Sequence, residues 1–191
     1  MFSTTRNKKQ LQQSEINNLY SQIAGLHRDL KNTKDELTKE KEKQRRISHL
    51  IDYSRSKGSE LIIESTPKGI EILTLLSSEK SNSKHLKIEI ELFDLIATHY
   101  NQRRAMVLFT ENFGDKDAVV IADIQGENGR REGHGTVAVN HLIRLARELE
   151  YARIVGQISQ VDFDHIDHLY AFYEKMGFTV DRQTNEIERI L

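Results

Sequence analysis

The chain of 191 residues has a formal net charge of −1, 37% hydrophobic and 30% charged residues, and no cysteine. That length suits one domain of ordinary size with an appendage, and the composition is too polar for a single compact globule. The missing cysteine excludes disulfide frameworks, zinc–thiolate sites and cysteine nucleophiles.

The opening residues MFSTTRNKKQ have no apolar run behind them, and no run approaches the length of a membrane span, so a cytoplasmic chain without membrane contact is expected. The near-zero charge hides a division. Residues 1–57 hold 13 Lys and Arg against 7 Asp and Glu, whereas residues 58–191 hold 15 against 22. Two units are expected, a helix and hinge over 1–57 and a folded domain over 58–191.

In the first unit apolar residues recur in steps of three and four. Ile16, Ile23, Leu30, Leu37 and Ile51 fall at heptad position a, and Leu19, Leu26 and Ile47 at d. Proline is absent and Gly25 is the one glycine of this run, so a helix over residues 8–52 is predicted, on the order of 65 Å long. One narrow stripe on so long a helix needs a partner helix, and the 3.5-residue period implies a left-handed coiled coil. In a parallel homodimer Asp29 would face Lys34 of the second copy and Glu36 would face Lys41, opposite signs both times. Thr33, Glu40 and Gln44 are polar seam positions that loosen the lower half. The basic run at residues 39–46 is interleaved with Glu40 and Glu42, which would repel phosphates and disfavour nucleic acid.

Residues 53–60, YSRSKGSE, read as a polar hinge, after which the pattern changes to short apolar runs. Residues 61–63 and 70–76 are strand or short-helix candidates around the turn signal Pro67-Lys68-Gly69. Leu86, Ile88, Ile90 and Leu92 alternate on one face of a half-buried strand. Residues 105–110 and 118–125 are further strands, joined by a hairpin-like turn at 112–117, and these meandering strands are expected to pair antiparallel.

Residues 126–136, GENGRREGHGT, form a glycine-rich strand-to-helix junction. Glycines let the backbone turn tightly and come close to a ligand, and the first N–H groups of the helix attract an anion. Val139, Leu142, Ile143, Ala146 and Leu149 then line one face of a helix reaching about residue 150. Residues 154–158 form a short strand, so the strands on either side of this helix should be parallel. Asp164 is a suitable N-cap for a second helix with Asp167 in its first turn, Gly177 closes that helix, and residues 178–181 and 187–191 form a final hairpin. The acids and histidines at its start, Asp162, Asp164, His165, Asp167 and His168, are explained by capping, and no metal site is expected.

Gly133-His134-Gly135-Thr136-Val137-Ala138 formally matches a dinucleotide fingerprint. However, its first glycine does not directly follow the strand, and Gly156-Gln157-Ile158-Ser159 supplies no acid after the next strand. No Lys-Ser/Thr follows the glycines, which removes a nucleoside triphosphate loop. A different pyrophosphate carrier is required.

Arg130-Arg131-Glu132-Gly133-His134-Gly135 resembles the R/Q-x-x-G-x-G/A signature of the GCN5-related N-acetyltransferases. Residues 169–178, LYAFYEKMGF, resemble that family's tyrosine-bearing last helix. The two signatures stand in the family's order and separation, and the resemblance covers about residues 119–191. It implies an α+β fold: a mixed, mostly antiparallel sheet with a central splayed parallel pair and flanking helices, here preceded by the coiled-coil helix.

The resemblance further implies acetyl-coenzyme A as cosubstrate, its pyrophosphate held by Arg130, Arg131, Glu132, Gly133, His134, Gly135 and Thr136. Its pantetheine arm would lie along Ile124 and Gln125. It also implies an amine-bearing acceptor, small molecule or peptide, with Tyr173 as the acid for the departing thiolate. The base that deprotonates the amine is then sought among nearby acids, Asp123 before Glu127, and His134 is expected to offer only its backbone N–H. Two departures stand out. Ile166 occupies the position of a cofactor-contacting asparagine, and residues 59–104 are too few for the two helices that normally form the acceptor side. The alternative reading is a coiled-coil interaction or regulatory protein whose acetyltransferase-like domain binds coenzyme A, or nothing, without turnover.

Overall fold

A computed structural model describes residues 3–81, 85–95, 104–111, 117–126, 132–159 and 166–191. The chain begins with one helix, α1 (Ser3–Lys57), of 55 residues. It exceeds the span expected from the heptads because nothing in YSRSK breaks a helix before Gly58, which takes the left-handed φ of 64°. Arg55 and Lys57 in the last turn suit the negative end of its dipole. The expected hinge is therefore helical through Lys57. The Ser59 N–H donates to Ser54 O at 3.0 Å, closing the helix directly into the first strand.

Two compact units divide the chain, Met1–Arg46 and Ile47–Leu191. Within the first, Ile16, Leu19, Ile23, Leu26, Leu30 and Leu37 are all exposed. No helix among the described residues is long and apolar enough to cross a membrane.

The second unit is built on strands β1 (Glu60–Ser65), β2 (Glu71–Ser81), β3 (His85–Asp94), β4 (Met106–Glu111), β5 (Ala118–Gly126), β6 (Arg153–Gln157), β7 (Thr179–Asp181) and β8 (Glu186–Ile190). They form one sheet in the order β1-β2-β3-β4-β5-β6-β8-β7. The first five strands pair antiparallel in sequence, β5 and β6 pair parallel, and β8 pairs antiparallel with both β6 and β7. Helix α2 (His134–Glu148) joins the parallel pair, and α3 (Ile166–Lys175) precedes the last hairpin.

Strand alternation sorts the apolar residues onto two faces. Ile72, Ile88, Ile90, Leu92, Leu108, Val119 and Ile154 pack with Val137, Ala138, Leu142 and Ala146 of α2 and with Tyr170 and Tyr173 of α3. Leu73, Leu75 and Phe93 point the other way and are covered by Ile47, Leu50 and Tyr53 from the end of α1. Between residues 59 and 104 the described residues form strands and turns and no helix, with β2 meeting β3 at Ser81↔His85. The acceptor side thus lacks helical cover among these residues. The turn expected at 112–117 lies, apart from Asp117, outside the described residues. So do Glu127, Arg130 and Arg131, and so do Asp162, Asp164 and His165.

Candidate functional site

The parallel pairing of β5 with β6 runs from Ala118↔Arg153 to Ile121↔Gly156 and ends there, while β5 continues to Gly126. Gly156 permits the close approach at this last pair, since a Cβ on it would stand 3.2 Å from Cβ of Ile121. At the same level the register with β4 shifts from Phe109↔Asp123 to Thr110↔Ile121, so Ala122 is an extra, bulged residue. The bulge reverses the inside–outside alternation. Ile124 packs against the main core, and its neighbour Asp123 lies exposed on the opposite face. Beyond Ile121, the edge of β5 that faced β6 has no strand partner among the described residues.

The start of α2 belongs to the same connection. Gly133 takes φ 93° and ψ 2°, and no described side chain caps the helix, whose first turn also carries no acid. Its first-turn amides therefore keep the polarity that attracts an anion. Two neighbours fit closely around the loop. A Cβ on Gly133 would lie 2.8 Å from Cδ of Pro67, and one on Gly135 would lie 3.3 Å from the Phe172 ring of α3. Pro67 belongs to a tight turn in which the Thr66 N–H donates to Ile70 O at 2.9 Å and the Gly69 N–H donates to Thr66 O at 2.8 Å.

The expected site residues are distributed as follows. Ile124 and Gln125 lie where β5 pairs with β4 but no longer with β6, and the Gln125 amide donates to Asp123 Oδ2 at 2.6 Å. Glu132, Gly133, His134, Gly135 and Thr136 lead into and open α2. Tyr173 is buried in α3, its ring packed edge-on against Phe172 at 5.1 Å and Phe178 at 5.4 Å between centroids. Tyr170, one turn earlier, instead donates its hydroxyl to Asn185 Oδ1 at 2.5 Å, which ties α3 to the final hairpin.

One relation escapes the sequence. The His134 side chain turns inward and is fully buried, with Nε2 2.6 Å from Asp94 Oδ1 at the end of β3. Nδ1 stands 4.0 Å from Glu132 Oε2. Asp94, Glu132 and His134 offer ligand atoms within 4.8 Å of one another. The 2.6 Å contact is nonetheless a direct hydrogen bond and not the spacing of two ligands around an ion. Asp94 continues the alternation of Leu86, Ile88, Ile90 and Leu92 and so falls on the same face, but only the folded chain reveals its partner. A second pair fixes α2 further along: His141 Nε2 lies 2.6 Å from Glu64 Oε1, which also accepts from Thr74 Oγ1 at 2.7 Å.

A bulge, the end of the parallel pairing and a glycine-led helix without a described side-chain cap thus stand on one β5–α2–β6 connection. The cAMP-binding acyltransferase from Mycobacterium smegmatis superimposes with a TM-score of 0.51 at 10% identity, over 75% of this chain and 52% of that one. The fold is that of the GCN5-related N-acetyltransferases. The chain spans about half the length of that mycobacterial protein. The ribosomal-protein-S18-alanine N-acetyltransferase from Escherichia coli is also similar, with a TM-score of 0.36 and 18% identity over 58% of this chain and 68% of that one. By sequence the chain is 26% identical to the uncharacterized protein YocC of Bacillus subtilis (strain 168), over 98% of each. No protein-family model matches.

Proposed function

We propose that this chain transfers the acetyl group of acetyl-coenzyme A to an amine, and that α1 pairs two copies as a parallel coiled coil in the cytoplasm. The observation that carries the first part is the coincidence of three features on one connection. The β5–β6 pairing ends, β5 bulges at Ala122, and α2 opens on left-handed Gly133 without a side-chain cap. The residues fit the cosubstrate. An unpaired strand edge at Ile124 and Gln125 suits an arm that bonds like a strand, and the α2 amides suit a pyrophosphate. Arg130 and Arg131 are assigned the charge that completes the cradle.

Acetyl-coenzyme A supplies an acyl group already activated as a thioester. The chain would do the rest by position and proton transfer. Backbone N–H groups at the bulge stabilise negative charge on the acyl oxygen. A lysine-like amine is mostly protonated near neutral pH, and Asp123, on the open face, is the base proposed to take that proton, directly or through water. The amine nitrogen then bonds the acyl carbon, the carbon–sulfur bond breaks, the Tyr173 hydroxyl gives the leaving sulfur its proton, and the further proton that the nitrogen sheds on becoming an amide restores the tyrosine through solvent. No protein nucleophile is needed, in keeping with a chain without cysteine.

The absence of helices among the described residues of the acceptor side favours a second reading, a non-catalytic relative that binds coenzyme A or nothing. Calorimetry with acetyl-coenzyme A followed by an amine-acetylation screen separates the two. Saturable binding with product formation is expected. No binding at millimolar ligand would sink the enzyme reading, and binding without turnover on any amine or cell extract would favour the alternative.

A further inference from the structure

We propose that His134 is a positioning residue for the phosphates of coenzyme A, acting through Asp94 and not only through its own backbone N–H. The inference rests on reading the described entry into α2, residues 132–136, as part of the pyrophosphate site.

The first residue of a helix usually turns its side chain outward, and burying an imidazole is costly unless it is hydrogen-bonded. His134 opens α2 and is nevertheless fully buried, its Nε2 2.6 Å from Asp94 Oδ1. Asp94 is held at the end of a paired strand. It is in register with Ile72 of β2, and the following Leu95 donates its N–H to Glu71 O at 3.0 Å. The pair therefore fixes the first turn of α2 to the ends of β2 and β3. On the other side Pro67 and Thr66 close against Gly133, where an added Cβ would meet Pro67 at 2.8 Å. Two contacts, from the end of β3 and from the β1–β2 turn, thus set where the uncapped amides stand. Holding donors in place before the ligand arrives reduces the cost of ordering them on binding.

Charge gives the imidazole a second task. Among the described residues, Asp94 on β3 and Glu132 on the loop bring charge to it, the latter at 4.0 Å from Nδ1. A bare carboxylate beside a phosphate site repels the ligand. His134 occupies the Asp94 oxygen with a hydrogen bond and places a polarisable ring between that charge and the helix start. An apolar residue of similar volume would fill the same space without this effect, so the pair does more than pack.

Coenzyme A binding by calorimetry, with melting temperature and acetyl transfer measured on the same full-length proteins, tests the assignment. His134→Ala should raise the Kd for coenzyme A about tenfold while kcat at saturating acetyl-coenzyme A stays within about twofold. His134→Gln can present a donor near the position of Nε2 and should bind within about threefold of the wild type. A wild-type Kd for His134→Ala overturns the proposal, as does a His134→Gln protein that melts normally yet binds as weakly as the alanine variant. If the alanine variant does not fold, His134→Leu takes its place, filling the space without the hydrogen bond and leaving the Asp94 carboxylate bare: weaker binding is expected, and an unchanged Kd overturns the assignment. Failure of the wild type itself to bind coenzyme A would instead remove the cradle reading, a result visible before any variant is made.

Discussion

Tyr173 and Tyr170 sit three positions apart on α3, and both are buried, yet their surroundings differ. Tyr170 commits its hydroxyl to Asn185 and stacks beneath the Arg182 guanidinium at 5.1 Å. Tyr173 is ringed by Phe172 and Phe178. Periodicity alone makes both of them core aromatics, and only the match to the family motif makes Tyr173 the proposed proton donor. Tyr173→Phe keeps the ring and its packing, so the melting temperature and the Kd for acetyl-coenzyme A should stay near wild type. Turnover should fall by about a hundredfold or more if the hydroxyl protonates the thiolate. Unchanged turnover removes Tyr173 from the mechanism. His134 illustrates the opposite case, a residue whose backbone role is readable from the loop while its side-chain role depends on Asp94, 40 positions earlier.

Among the elements, the end of α1 is more than a tether. Glu91 on β3 is buried on the sheet face opposite α2, and Lys57 from the last turn of α1 reaches Glu91 Oε1 at 2.8 Å and Glu89 at 3.5 Å. Arg104 adds a contact to Glu91 Oε2 at 3.3 Å, and the Tyr53 hydroxyl lies 3.4 Å from both oxygens. Burial works against the Lys57 charge, but hydrogen bonds to Glu91 and Tyr53 and the charges of Glu91 and Glu89 hold its pKa well above the ordinary lysine value. Lys57→Met should therefore cost about 2 kcal/mol at neutral pH. That is less than a broken buried pair usually costs, because Arg104 remains. A raised folded-state pKa stabilises fully below the unfolded value and is lost as pH climbs toward the folded one. The difference between wild type and Lys57→Met in urea unfolding should hold steady up to about pH 10 and shrink above it. A difference that is absent at pH 7 would mean that the α1 docking does not depend on this pair. The sequence marked residues 53–60 as a hinge because they are polar; of them Tyr53 and Lys57 in fact serve this charge network.

For the whole molecule, the exposed stripe of α1 carries the prediction of assembly. Leu19, Leu26 and Leu30 are each more than half exposed, and a narrow apolar seam of this length is stable only when a partner covers it. Leu19→Lys combined with Leu26→Lys should leave the α2 and α3 core intact and convert a dimer to a monomer by light scattering. A dimer that survives both substitutions would show that another surface holds the copies together.

The antiparallel meander, the parallel pair around α2 and the final hairpin were legible in the chain, because alternation and helical period report directly which face each residue buries, whereas residues 61–63 and 70–76 read equally as strand or short helix and only the sheet made them β1 and part of β2. The exposed heptad stripe was legible for the same reason. The glycines of the loop and the tyrosine helix carry the family resemblance from which coenzyme A is proposed. What the amino-acid order could not express was which distant residues meet. The bulge at Ala122 depends on the register between β4 and β5. The clamp on the cradle needs Pro67 and Asp94 brought beside Gly133 and His134, and the Glu91 network needs the end of α1 laid on β3. Local pattern encodes period and turn chemistry, whereas these contacts arise only when the sheet has closed its register and set its edges against the helices.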